Sequence, residues 1–277
     1  MADRRTAADL TDTGRARWPA RVGHYLWSGW TGAASVLLLV AAWDALARQL
    51  GPLVLPTPQE TLASLTQILR SPAAWLDLGA TARRALYGYG LSVLAGAVLG
   101  MAAGASITAT MMARPLVTLL IGMPPIAWLV LALLWFGSGD ATPVFTVFVA
   151  CFPIIFVGAL QGTRTLDGRL RELAQAYRLP LTQRFADVYL PHIASYLFAA
   201  CITALGVSWK VVLMAELLAT SDGAGAQLAA TRSHLDMGGT LAWVSAVVGL
   251  LLAAEYLLLE PIRREMERWR GDGGGAA

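Results

Sequence analysis

Charge is scarce in this chain: Asp, Glu, Lys and Arg make up 14% of 277 residues, where a soluble domain carries about a quarter. That excludes an ordinary water-facing globular domain. Lysine is almost absent, with Lys210 the sole example and arginine supplying the other basic residues. The net charge of +3 is small, and the positive residues flank hydrophobic runs rather than form a basic stripe, which argues against nucleic acid as a partner. Cysteine is limited to Cys151 and Cys201, both inside apolar stretches and without a CxxC or Cys/His spacing, so packing is their expected role and no metal is implied. The three histidines, His24, His192 and His234, are scattered. No cluster of His, Ser or carboxylates at catalytic spacing supports a membrane enzyme. The first 21 residues are polar and carry Arg4, Arg5, Arg15, Arg17 and Arg21. They do not read as a cleavable signal peptide.

What is abundant is apolar: 56% of residues, with a mean hydropathy of +0.57. The excess is gathered into blocks, and about 20 apolar residues cross a bilayer as a helix. Six segments qualify: Thr31 to Ala47, Tyr87 to Thr108, Pro115 to Phe136, Pro143 to Gly162, His192 to Leu218 and Leu241 to Leu259. The expected fold is all-α, a polytopic membrane protein of about six transmembrane helices. Residues 1–30 form an N-terminal tail, 31–262 the membrane domain and 263–277 a C-terminal tail. With the N-terminus inside, fifteen arginines fall on the inner side and five (Arg48, Arg70, Arg83, Arg84, Arg232) outside. The positive-inside rule therefore predicts both termini in the cytoplasm. Residues 51–80 become an outer segment. There Pro56 and Pro58 forbid a continuous helix, Thr57 or Pro58 starts a new one, and residues 60–70 form a short amphipathic helix.

Within the spans, Gly96, Gly100 and Gly104 recur every fourth residue and let a neighbouring helix approach closely. Pro124-Pro125 and Pro153 bend the third and fourth spans. Asp44, Lys210, Glu216 and Glu255 are ionisable groups at membrane depth, each costing roughly 2.5 to 3.5 kcal/mol on insertion scales. Interfacial solvation would serve Asp44 and Glu216, near outer ends of their spans. Lys210 would snorkel or pair with a carboxylate such as Glu255; the sharper alternative is a pathway position where it attracts an anion. Lys210 and Glu216 lie about 240° apart around a helix and cannot share a face, whereas Trp209 and Glu216 can.

The longest inner loop, residues 166–191, carries the chemistry. Leu170, Leu173, Ala174 and Tyr177 share one helical face, with Arg171, Gln175 and Arg178 opposite. Leu179-Pro180 breaks the helix. A short amphipathic helix there needs a protein partner or a membrane surface. Glu172-Leu173-Ala174, then Arg178, Val188 and Leu190-Pro191 resemble the cytoplasmic signature of permease subunits of bacterial binding-protein-dependent ABC importers: Glu-Ala-Ala, three residues, Gly, nine residues, Ile, one residue, Leu-Pro. Leu173 and Arg178 depart from it, and Pro180 supplies the break that the family glycine provides. Leu134 to Gly139, Phe152-Pro153, Ala204 to Trp209 with Ala215-Glu216, and Leu55 to Pro58 look like the nitrate/sulfonate/taurine branch.

The resemblance covers roughly residues 80–265. It implies a type I importer permease in the bacterial inner membrane. Two permease copies, by default a homodimer, would pair with a dimer of ATP-binding cassette ATPases and a periplasmic solute-binding protein. Leu170, Glu172, Leu173, Ala174, Tyr177, Arg178 and Leu179 would couple to the ATPase. Lys210, Trp209, Glu216, Pro124 and Met214 are the pathway candidates. No Gly-x-x-x-x-Gly-Lys occurs, so ATP and Mg²⁺ belong on the partner ATPase and no cofactor is expected on this chain. A secondary transporter is the alternative, although no inverted repeat is visible.

Overall fold

The computed structural model describes residues 18–51, 54–165, 176–177, 180, 183 and 189–259, with side chains described from residue 34 to residue 257. Every element among them is helical. The chain divides into two compact units, Met1–Thr61 and Leu62–Ala277.

In the first unit, α1 runs from Trp18 to Leu50, so helix begins inside the stretch expected to be a tail. Its Val36 to Leu39 run is exposed, as a lipid-facing surface is. Asp44 accepts a 2.8 Å hydrogen bond from Arg48 one turn later, which pairs the charge locally. The helix stops at Gly51, whose φ of 83° lies in the left-handed region. The next helix, α2 (Pro58–Arg70), starts as the prolines dictate. Thr57 and Glu60 form a capping box, with the Thr57 amide donating to Glu60 Oε2 at 2.9 Å and the Glu60 amide to Thr57 Oγ1 at 3.3 Å.

The second unit holds the bundle: α3 (Pro72–Gly104), α4 (Ile107–Gly122), α5 (Pro125–Phe136), α6 (Ala141–Arg164), α7 (Leu190–Ala219), α8 (Ala224–Ser233) and α9 (Met237–Ala254), with a π-turn over Glu255–Leu259. Helices α3, α6, α7 and α9 with its extension are each long and apolar enough to cross a membrane. Two expectations need correction. The second span begins at Pro72, not Tyr87, because nothing after Pro72 interrupts the helix; Arg83 and Arg84 therefore lie in it, not in an outer loop. The third span is two helices, α4 and α5, bent by 91°, because Pro124 and Pro125 offer no N–H to continue the ladder. Counting that pair once gives five spans among the described residues, and α1 carries the remaining predicted segment, Thr31 to Ala47.

Helix α6 is the axis of the bundle, packed between α3 and α7. A Cβ on Gly96 would stand 2.9 Å from Ile155 Cβ, and one on Gly88 2.7 Å from Val147 Cβ. The glycine row therefore lets α3 and α6 touch backbone to side chain, and it starts two turns earlier than the Gly96 repeat. The core between them and α7 is built from Val147, Cys151, Ile155, Ala204, Leu205, Trp209 and Val212, all buried.

Candidate functional site

Six of the seven residues expected to couple to the ATPase (Leu170, Glu172, Leu173, Ala174, Arg178 and Leu179) lie outside the described residues. Tyr177 is described and is 75% exposed. What the structure defines is the pair of helices that flank the loop in the chain, α6 ending at Arg164 and α7 beginning at Leu190. A Cβ on Gly158 of α6 would be 2.5 Å from Ala200 Cβ of α7, and one on Gly162 would be 3.1 Å from Ile193 Cα. Small residues thus bring the two backbones together beside the loop. Thr165 Oγ1, just past α6, lies 3.2 Å from His192 Nε2 in the first turn of α7.

The opposite end of the same two helices is clamped by ions. Arg84 of α3 is 2% exposed and Glu216 of α7 is fully buried. Arg84 Nη1 donates to Glu216 Oε1 at 2.7 Å and to the carbonyl of Asp222 at 2.9 Å. Its Nη2 donates to Asp222 Oδ1 at 2.7 Å, and its Nε to Asp140 Oδ1 at 2.8 Å. The other Glu216 oxygen accepts from Thr81 Oγ1 at 2.7 Å and from the Gly225 amide at 3.0 Å. Asp77, one turn before Thr81, accepts from the Gly223 amide at 2.8 Å and from Gln227 at 2.9 Å. One guanidinium thus ties α3 to the start of α6, the end of α7 and the loop before α8. Glycine is required at 223: its φ is 100°, and a Cβ there would sit 2.6 Å from Glu216 Oε1. The Gly139 amide, donating to the Ala219 carbonyl at 2.9 Å, adds a further tie. Arg83 joins Asp140 at 2.7 Å. Held by Arg84 and then Arg83, the Asp140 carboxyl is depressed below its ordinary pKa, against the opposing effect of its partial burial.

This replaces interfacial solvation as the account of Glu216. The residue is a desolvated partner of Arg84, and the pair exists because either charge alone would be costly at that depth. Trp209 shares its buried face, as the seven-residue spacing requires, and its indole N–H has no hydrogen-bond partner among the described residues. Met214 is half-buried beside Leu129, Ala215 and Ala219. Pro124 is exposed at the α4–α5 bend.

Lys210 lies on the other side of α7, exposed, and among the described residues no carboxylate is within ion-pair distance. Pairing with Glu255 is ruled out: Lys210 is nine residues from the end of α7, whereas Glu255 follows the far end of the antiparallel α9, so their depths differ by more than 10 Å. Tyr196, Ala199, Thr203 and Lys210 recur at spacings of three, four and seven, forming an exposed stripe. Beside its lower half, between α6 and α7, a groove of about 640 Å³ is lined by Gln161, His192, Ser195, Tyr196 and Thr203 among others. The structure therefore brings Trp209 and Glu216 inward and sets Lys210 apart from them. Sequence reasoning missed Arg84. The available signal was Glu216 itself, a carboxylate at depth with Lys210 excluded by helix angle.

Residues 73–264 match the family of binding-protein-dependent transport system inner membrane components. The chain is 28% identical over 246 residues to the taurine transport system permease protein TauC of Escherichia coli strain K12, covering 87% of this chain and 89% of that protein. It is 25% identical over 252 residues to the putative aliphatic sulfonates transport permease protein SsuC of Bacillus subtilis strain 168, covering 89% and 90%. It is 24% identical over 202 residues to the nitrate import permease protein NrtB of a Synechocystis strain, covering 70% and 73%. Nothing in these relatives supports the gradient-driven alternative. With its all-helical bundle of apolar spans and a family match over residues 73–264, this chain is a member of the binding-protein-dependent inner membrane permease family of ABC transporters.

Proposed function

We propose that this chain forms half of the translocation pathway for a small organic or inorganic oxyanion of the sulfonate or nitrate class, and that it is driven by a separate ATPase. The observation that carries the reading is the polar stripe of α6 and α7. Gln161, His192, Ser195, Thr203 and Lys210 lie on the outward side of helices that are otherwise apolar. Facing lipid, the lysine alone would cost roughly 2.5 to 3.5 kcal/mol. The economical alternative is that the stripe faces water and a second copy of the chain, so that a homodimer encloses an aqueous route. Lys210, about 14 Å from one end of α7 at 1.5 Å per residue, then supplies a positive charge to a passing anion. The taurine, sulfonate and nitrate permeases named above favour the same solute class.

On this reading both termini are cytoplasmic, Tyr177 and Glu172 belong to a coupling helix seated on the ATPase dimer, and ATP and Mg²⁺ are bound there. A periplasmic binding protein delivers solute at the Arg84 end. Movement of the loop swings α3, α6 and α7 as one body, since the glycine row and Arg84 hold the three together. The test is a reconstituted complex carrying Lys210→Ala: solute uptake should fall at least severalfold while ATPase assembly is retained. Unchanged uptake and unchanged coupling of ATP hydrolysis to transport would remove Lys210 from the route.

A further inference from the structure

A second groove, about 500 Å³, opens between α4 and α6 at the loop end of the bundle. Arg114 of α4 and Arg164, the last residue of α6, both line it, and both are exposed. Among the described residues neither guanidinium has a carboxylate within ion-pair distance. The lining changes with depth. Thr110, Arg164 and Thr165 stand near the helix ends; Gln161 lies one turn further along α6 and Arg114 two turns into α4; Val117 on α4 and Phe156 and Val157 on α6 lie deeper. Beside Val117, the Thr118 hydroxyl is occupied, donating to the Arg114 carbonyl at 2.9 Å. A slot with two cations in its polar outer half and an apolar floor running about 7 Å further inward, from Gln161 to Phe156, has the polarity profile of a phospholipid, phosphate outward and acyl chain inward.

We propose that the α4–α6 slot binds an anionic phospholipid, its phosphate held between Arg114 and Arg164 and one acyl chain lying over Val117, Val157 and Phe156. A free solute anion fits the two guanidiniums but leaves the apolar floor unused, and this decides between the two sources. The site also sits against α6, the helix that enters the signature loop one residue after Arg164, so lipid bound there would brace the α4–α6 contact.

Native mass spectrometry of the detergent-purified full-length chain, with added phosphatidylglycerol or phosphatidylethanolamine, tests the assignment. Each basic residue near an anionic surface contributes roughly a fivefold gain in binding. R114Q/R164Q should therefore lower retained phosphatidylglycerol by about thirtyfold and leave phosphatidylethanolamine unaffected. R15Q/R17Q, which removes the same charge from the N-terminal tail, should leave both unchanged. A V157W variant, which blocks the floor without altering charge, should also release phosphatidylglycerol. Equal lipid retention by wild type and R114Q/R164Q, at equal thermal stability in lipid-free detergent, overturns the proposal. Displacement of phosphatidylglycerol by millimolar free sulfonate, with V157W indistinguishable from wild type, also overturns it and reassigns the slot to solute.

Discussion

Replacing Arg84 removes the guanidinium that serves three carboxylates, and the structure says which of the three matters for stability. Asp140 and Asp222 have side chains 53% and 58% exposed, so water replaces the lost contacts and each contributes at most about 1 kcal/mol. Glu216 is fully buried and would keep only Thr81 and the Gly225 amide as donors. Removing one partner of such a pair costs about 3 to 5 kcal/mol, because a charge is left without water or counter-ion. Arg84→Met should therefore destabilise by about that amount. Glu216→Gln should cost less, about 1 to 3 kcal/mol, since an amide facing the Gly225 N–H leaves a donor unpaired without stranding a charge. The double variant R84M/E216L removes both ions and should be more stable than R84M alone. Unfolding in mixed micelles by titrated denaturing detergent measures all four proteins. An R84M chain within 1 kcal/mol of wild type, or a double variant no more stable than R84M alone, would overturn this expectation.

Three further outcomes follow from the same geometry. Asp140, whose depressed pKa reflects Arg84 and Arg83, contributes stability that is present above the ordinary carboxylate value of about 3.9 and is lost only as pH falls through its lower folded value. Thermal unfolding between pH 7 and 3 should show an acid limb that Asp140→Asn flattens. Gly88→Val would drive a branched side chain into Val147, where even a Cβ lies 2.7 Å away; overpacking of about 1 to 3 kcal/mol should lower the yield of folded protein, whereas Gly90→Ala, with open space around it, should not. Gly223→Ala must place a side chain at φ 100° against Glu216, at about 1 to 3 kcal/mol, measurable in the same unfolding titration.

Most of the bundle was legible in the sequence because hydrophobic length alone dictates spans. The fourth and fifth spans fell within about two residues of α6 and α7, and the prolines placed the start of α2 at Thr57 or Pro58. Boundaries failed where length stopped being informative. From Pro72 onward, Ala-rich helix runs without a breaker into the apolar stretch, so the start of α3 was hidden. Pro124-Pro125 was read as a bend, but its 91° angle depends on what α5 packs against, Leu129 meeting Ala215 and Ala219 of α7, contacts that no local pattern encodes. The Arg84–Glu216 pair was invisible for a similar reason. Its members are 132 residues apart, and Arg84 looked like an outer-loop residue once the second span had been started too late. Periodicity, by contrast, correctly separated Lys210 from Glu216, since helix angle is fixed by residue spacing.

Under the proposed function, this permease moves an anion only when a separate motor acts on the loop around Glu172. Proteoliposomes holding the permease with its ATPase and loaded binding protein should accumulate labelled sulfonate or nitrate when ATP is supplied, and Glu172→Ala should abolish accumulation while the ATPase still hydrolyses ATP on its own. Accumulation by the purified chain alone, without nucleotide or ATPase, would show that no separate motor is needed.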